Sequence, residues 1–589
     1  MTAQIRKTET ENTSEQLSPI ERIIVITFYA VILALKIIYI FRYRFDSDEP
    51  QHLHVVWGWA HGLLQYRDVF DNHTPLFHLL CTPIFIAIGE RPEALFMMRL
   101  AMIPLYALAL WSTYIIGRVI FSQRVGLWAS VFVGLYSSFF LCSVEFRTDD
   151  LWIIFWLFAI ALLIRGRITI SRVFIVGLFL GIATGVSMKT TLMLITLCIS
   201  ALATIVFPFK GRLLKYSFRK LTPYAATMLL GLLLVPLALT LFFYFKGDLA
   251  PFFYGAVKHN MLSNHGRWRL FQWKFFLFPI ILMLLWWGAR AIAFYSTANA
   301  GIITRRVFVF FVTGVYISLL KIFWPLVEPQ SKLPFYPLFI IFLTPLPLIV
   351  VPHWFAKRLS NVLLSRLLSG TLVLFLVAFI EMGILIHLLL VHDTSWRNKM
   401  QNQIGLLTDV LQLTNPNDLV MDLKGETIFR QRSFYYVLEG ITRTRIGCGL
   451  ISDDIPERLI ASSTCVAILD DRRFTPRTRS FLDENYLPIG YLRVAGQFLT
   501  IPASSEMHSI FFDVRIPAPY EILAESSMVT GLLDDTPYQG ARFLATGRHV
   551  FRTSCKENKL ALVWAQAVER GFSPFFSRNN LHDNTVEFY

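Results

Sequence analysis

The chain has 589 residues, 55% of them hydrophobic and 15% aromatic, and its mean hydropathy is +0.53. A water-soluble globular protein does not reach that value, so a soluble enzyme is excluded. The formal charge is +15, from 55 Lys and Arg against 40 Asp and Glu, but the basic residues lie in short loops between apolar runs. That is the positive-inside pattern of a membrane protein, and no nucleic-acid partner is expected.

Residues 1–22 are polar and read as a disordered cytoplasmic N-terminus. No small-residue cleavage site follows Phe41, so the apolar run 23–41 reads as an uncleaved anchor. Further runs at 100–120, 125–143, 150–164, 172–188, 191–209, 222–245, 275–295, 305–324, 336–352 and 365–391 bring the expectation to about eleven transmembrane helices. A shorter run, 76–89, is placed at the interface. With the N-terminus inside, loops 122–124, 165–172, 210–220, 290–306 and 357–366 are cytoplasmic, basic and free of carboxylates. Loops 42–99, 144–149, a tight turn near Lys189, 246–274 and 325–335 face outward and hold the carboxylates and histidines. This alternation puts the loop 42–99 and everything after residue 391 outside the cytoplasm.

The outward stretch from Phe45 to Phe77 is the most ionisable part of the membrane half: Asp46, Asp48, Glu49, Asp68 and Asp71 accompany His52, His54, His61 and His73, with His78 just beyond. If Asp48 opens a helix, His52 falls one turn later on the same face and can orient the carboxylate. Val56, Trp59 and Leu63 at helical spacing predict that this helix lies along the membrane surface. Asp149 and Asp150 stand at the mouth of the next outward loop, where one carboxylate can cap a helix but a second is left over. His73, Lys189, Lys258, Arg267, Arg269 and Lys332 lie at the same level and suit a phosphate-bearing ligand.

From residue 392 the composition is that of a soluble protein. Asp418–Asp422 and Cys465–Asp470 read as buried strands and Arg477–Tyr486 as a helix, giving a periplasmic α/β domain over 392–505. Alternation in Ile510–Arg515, with Gly531, Pro537, Gly540 and Gly547 as punctuation, predicts a β-rich, sandwich-like domain over 506–589. Neither part shows a catalytic constellation, so binding or scaffolding is expected of both. The 6 cysteines are scattered and set no metal or disulfide framework. There is no Gly-x-Gly-x-x-Gly after a strand and no Walker sequence. No cofactor is expected; a divalent cation in the first loop is an open alternative, although the spacing fits no standard zinc pattern.

The first outer loop resembles that of GT-C superfamily glycosyltransferases that use polyprenyl-phosphate sugars, such as lipid A aminoarabinose transferases and protein O-mannosyltransferases. The resemblance is carried by Asp48-Glu49, by Tyr66-Arg67-Asp68-Val69-Phe70-Asp71-Asn72-His73-Thr74-Pro75-Leu76, by Arg99-Leu100 and by Arg147-Thr148-Asp149, over roughly residues 20–210. It implies a polytopic α-helical GT-C-like domain over 23–391, with 42–99 as its large first periplasmic loop. The implied reaction moves a sugar from a polyprenyl-phosphate carrier to a hydroxyl or phosphate on a glycolipid, glycan or protein, and direct displacement would invert the anomeric carbon. Asp48 matches the acidic residue placed at the acceptor, and Asp149 the second acidic position. Glu49, His52, Asp71 and Asp150 are then assigned to acceptor and sugar, and His73, Lys189, Lys258, Arg267 and Lys332 to the lipid phosphate. His73 stands where the family often has Lys before Pro-Pro-Leu. The competing reading, a multi-pass transporter or flippase, expects charges at mid-span and symmetric halves, and the sequence shows neither.

Overall fold

The computed structural model describes residues 17–208, 218–261, 273–296, 298–324, 327–348, 370–470, 472–500, 508–554 and 559–575. The chain divides into two units, one of residues 1–43, 72–77 and 98–393, the other of 44–71, 78–97 and 394–589.

The first unit is helical. Among the described residues, 6 helices are long and apolar enough to cross a membrane: Pro19–Ile40, Ala94–Ile120, Thr222–Phe245, Lys274–Tyr295, Ala300–Ile322 and Thr371–Leu413. Shorter apolar helices cover Leu76–Ile88, Ile170–Val186, Thr190–Val206 and Phe335–Leu348. Large side chains such as Leu230, Phe245, Trp287 and Ile380 stand exposed on them, which only a hydrocarbon surrounding tolerates. The chain is a polytopic helical membrane protein with a C-terminal sheet region.

Helix ends explain where the apolar runs start and stop. Ser18 accepts the Glu21 amide at 3.1 Å and Pro19 takes the first helical position, a favoured N-terminus. At the other end Arg99 donates to the carbonyls of Ile40 at 3.3 Å and Tyr43 at 2.8 Å, satisfying acceptors that the helix leaves unpaired. The expected run 125–143 is broken into Gln123–Leu135 and Ser137–Cys142 by extended backbone at Tyr136. Lys36 reaches this break, donating to Phe140 O at 3.1 Å and Ser143 Oγ at 2.7 Å, with its ammonium 4.0 Å from the centre of the Tyr106 ring. A buried cation needs such partners. Helices Ile170–Val186 and Phe218–Phe245 approach at glycines: a Cβ on Gly177 would lie 2.1 Å from Met228 O. Small residues spaced by four let two backbones pack this closely.

In the second unit the strands are β1 (Val420–Met421), β2 (Val466–Ile468), β3 (Tyr486–Ile489), β4 (Leu492–Thr500), β5 (His508–Val514), β6 (Ala518–Ala524), β7 (Leu532–Leu533), β8 (Thr536–Pro537), β9 (Arg542–Leu544), β10 (Gly547–Thr553) and β11 (Lys559–Trp564). One sheet runs β1-β2-β4-β11-β6-β9, with β3 also on β4, and another runs β5-β10-β7-β8. β1 and β2 are parallel (Val420 opposite Val466), and β4 and β11 antiparallel (Leu499 opposite Leu560). Buried Leu482, Val494, Leu533, Ala561 and Leu562 belong to one continuous core.

Two expectations change here. The boundary expected at 505/506 is bridged by the β4–β11 ladder, so the two expected C-terminal parts share one sheet and one core. The helix Asp48–Ala60 is not a surface helix: every residue from Glu49 to Gly58 is buried. Its polar side chains are paired internally, which a count of apolar positions cannot reveal.

Candidate functional site

Asp48 begins its helix on a reciprocal brace. Asp46 Oδ1 accepts the Asp48 amide at 3.1 Å, and Glu49 Oε1 accepts the Asp46 amide at 2.8 Å, in the manner of a capping box. Glu49 is thereby enclosed. Gln51 and Gln65 donate to the two oxygens of Asp71 at 3.1 and 2.9 Å, and His78 Nδ1 lies 3.6 Å from Asp71 Oδ2. His52 Nδ1 lies 3.0 Å from His78 Nε2. The expected orienting bond from His52 to Asp48 is replaced by this one, and Asp71 is sealed inside the unit.

The partner of Asp48 comes from the loop after β1. Lys424 Nζ forms an ion pair with Asp48 Oδ1 and lies 3.4 Å from Ser47 Oγ. The loop is built around two buried carboxylates. Asp422 accepts the Gly425 amide at 3.0 Å, and the Thr427 amide and hydroxyl at 3.0 and 2.7 Å. Glu426 accepts the amides of Leu423 and Lys424 at 3.1 and 2.6 Å. His54 meets Ile428 O at 2.7 Å, and Glu90 binds Trp57 Nε1 at 2.7 Å and Arg430 at 3.1 Å.

Gly425 is where this loop touches the helix. Its φ is +100°, and a Cβ would lie 3.0 Å from His54 Cβ and 3.3 Å from Gln51 Cα, which is backbone. Gly425→Ala is therefore expected to destabilise the unit by about 2 kcal/mol, combining left-handed strain with a tight approach to the helix backbone. An unchanged thermal unfolding midpoint would contradict this seating.

Burial, reinforced by Asp422, pushes the Glu426 carboxyl up to about 7, and burial with Arg432 holds His54 down to about 4. The signs oppose each other. Glu426, raised from its ordinary 4.5, gives stability that is complete below that pH and lost as pH rises to about 7. His54, lowered from 6.5, gives stability that is complete above that pH and lost as pH falls to about 4. Glu426→Gln removes the contribution of Glu426. The variant is expected to gain stability relative to wild type as pH rises from 4.5 to 7, by on the order of 3 kcal/mol. Parallel unfolding curves across that range would refute it.

A second cluster lies in the first unit. Asp149 sits in the first turn of Thr148–Ile164, where the helix dipole favours an anion. Its Oδ1 accepts from Lys189 Nζ at 2.9 Å, and Arg147 Nε lies 3.6 Å from Oδ2. Arg147 also lies 3.7 Å from Glu145, which accepts from Gln330 at 3.0 Å. His73 acts on the same Asp149 carboxylate. Lys189 is presented by the turn Ser187–Thr190, with its ammonium 5.6 Å from the Trp152 ring. Asp150 is buried and acts electrostatically on Lys36.

The predicted residues thus fall into two sets. Asp48, Glu49, His52 and Asp71 belong to the second unit; Asp149, Asp150, His73 and Lys189 belong to the first. Lys332 lies in the short turn Pro329–Lys332, tied to the Asp149 cluster through Gln330. Lys258 is exposed at the end of the π-helical turn Tyr254–Lys258. Arg267 and Arg269 lie outside the described residues. Among the described residues no group of three His, Cys, Asp or Glu side chains is gathered as a metal ion would require. Lys424, Glu426, Glu145 and Lys36 were missed by the sequence reading. For the first two a signal existed: Asp422 to Arg432 packs both signs of charge into one loop directly after a strand.

No family model matches the sequence, and no curated protein is significantly similar to it. Solved structures do match. The crystal structure of ArnT from Cupriavidus metallidurans bound to undecaprenyl phosphate is 13% identical and matches over 80% of this chain and 97% of that chain, with a TM-score of 0.53. The apo structure of the same protein matches at 13% identity over the same shares, with a TM-score of 0.52. The chain shares its fold with ArnT.

Proposed function

We propose that this chain transfers a sugar from a polyprenyl-phosphate carrier to a hydroxyl or phosphate on a glycolipid, glycan or protein, at the periplasmic face of a bacterial inner membrane. The observation that carries the reading is the fold shared with ArnT along nearly all of that chain, ArnT having been solved with undecaprenyl phosphate bound. In this reading about eleven helices span the bilayer and the C-terminal sheet region is periplasmic, as the charge pattern of the loops supports.

The residues take roles that their surroundings suit. The acceptor oxygen attacks the anomeric carbon, the carbon–oxygen bond to the phosphate breaks, and its electron pair leaves on the phosphate oxygen with inversion at the sugar. Asp48 takes the acceptor's proton. Polyprenyl phosphate is already a good leaving group, so no acid is needed; Lys189 and Arg147, anchored by Asp149, neutralise the growing charge. His73 adds to the cationic surroundings of Asp149, and Lys332, Lys258 and Arg267 are assigned to the same lipid phosphate by the resemblance alone. Glu49, His52 and Asp71 shape the Asp48 helix from within, and Asp150 steadies the buried Lys36.

The test is a transfer assay on the purified full chain with a panel of labelled polyprenyl-phosphate sugars and extracted glycolipid, glycan and protein acceptors. Label is expected to move to one acceptor class with release of polyprenyl phosphate. Failure with every donor, in protein that binds undecaprenyl phosphate, would sink the proposal.

A further inference from the structure

We infer that Lys424, carried by the C-terminal region, is the counter-ion that orients the Asp48 carboxylate and keeps it ionised. Its use in catalysis rests on the glycosyl-transfer reading.

The two residues are 376 positions apart and meet directly, Nζ to Oδ1. The Lys424 side chain is only 9% exposed, against 22% for Asp48. Pinning a lysine costs side-chain freedom, so an enclosed, fixed ammonium calls for a structural cause. The loop supplies it. Glu426 holds the backbone amide of Lys424, Asp422 ties down the residues on its far side, and Gly425 seats the turn against Gln51 and His54. Two buried carboxylates are thus used to fix a lysine on a third carboxylate.

The chemistry explains the gain. A carboxylate that takes a proton from an alcohol works best with one oxygen fixed and the group ionised before the acceptor arrives. An adjacent cation supplies both conditions, and the start of the helix adds its dipole. Charged residues on the Asp48 stretch are Arg44, Asp46 and Glu49, and on the loop that carries Lys424 they are Asp422, Glu426, Arg430 and Arg432. Lys424 is the cation among them that touches the carboxylate of Asp48. It acts through Asp48 and is a positioning residue.

The experiment uses the full chain in proteoliposomes, with Lys424→Met, Lys424→Arg and Asp48→Asn beside wild type. Asp48 is titrated by pH-difference infrared spectra, its protonated-carboxyl band being identified by its loss in Asp48→Asn. Transfer is followed with the labelled polyprenyl-phosphate sugars across pH. Lys424→Met is expected to raise the Asp48 titration by about one pH unit and to move the acid limb of the rate profile with it. We expect kcat to fall about tenfold with KM within about twofold, and Lys424→Arg to restore most of the rate. An unmoved Asp48 titration in Lys424→Met overturns the inference. So does a loss of rate and unfolding midpoint together that Lys424→Arg does not recover. If wild type transfers from no donor while the titration still moves, the counter-ion assignment stands and the glycosyl-transfer reading falls.

Discussion

Asp48→Asn is expected to lower kcat for sugar transfer by about 10³-fold, within the range for loss of a positioned general base. The substitution preserves shape, and the amide oxygen can still accept from Lys424, so stability should fall by only about 1–2 kcal/mol. Helix geometry should also survive, because the brace between Asp46 and Glu49 does not use the Asp48 side chain. The pairing of a large rate loss with a small shift in unfolding midpoint separates chemistry from folding. Full activity in Asp48→Asn would remove Asp48 from the mechanism.

The second large effect is expected at Asp149. This carboxylate is enclosed and faces Lys189 at 2.9 Å and Arg147 at 3.6 Å. Asp149→Asn leaves two cations in a partly buried cluster with Glu145 as the nearby carboxylate. Breaking such a pair from one side typically costs about 3–5 kcal/mol. Lys189→Met leaves Asp149 with Arg147 at 3.6 Å and should cost less. The double variant Asp149→Asn/Lys189→Met should recover most of the stability, because neither charge is then left unpaired, yet remain inactive in transfer. Thermal unfolding of the three proteins measures the coupling. Additive losses would mean that the two side chains do not act as a pair.

How far the sequence could reach is clear from these two clusters. Local features were readable: the apolar runs, the helix start at Asp48 and the turn at Lys189 each follow from a few neighbouring residues. The partners were not. Lys189 meets Asp149 across 40 positions and Lys424 meets Asp48 across 376, and no local spacing encodes either distance. The helix Asp48–Ala60 was misjudged for a related reason. Gln51, His52 and His54 look solvent-facing until Asp71, His78 and Ile428 are seen to satisfy them. The division at residue 505 failed because β4 finds β11 beyond six intervening strands, β5 to β10, and alternation within a strand is silent about which strand lies beside it.

The shared sheet also sets an order of events during synthesis. Leu492–Ile468 pairing begins a ladder in which β4 binds β2 by its first residues and β11 by its last. β1, and with it the Lys424 loop, hangs from β2. Until β11 emerges from the ribosome, β4 keeps an unpaired edge and the core around Leu560 and Leu562 stays open. Long-range closure of this kind is slow and leaves the unfinished sheet prone to aggregation. A chain truncated between β4 and β11 would hold every acidic residue of the first loop and Lys424 itself, yet lack the strand that closes the sheet on which the Lys424 loop is mounted.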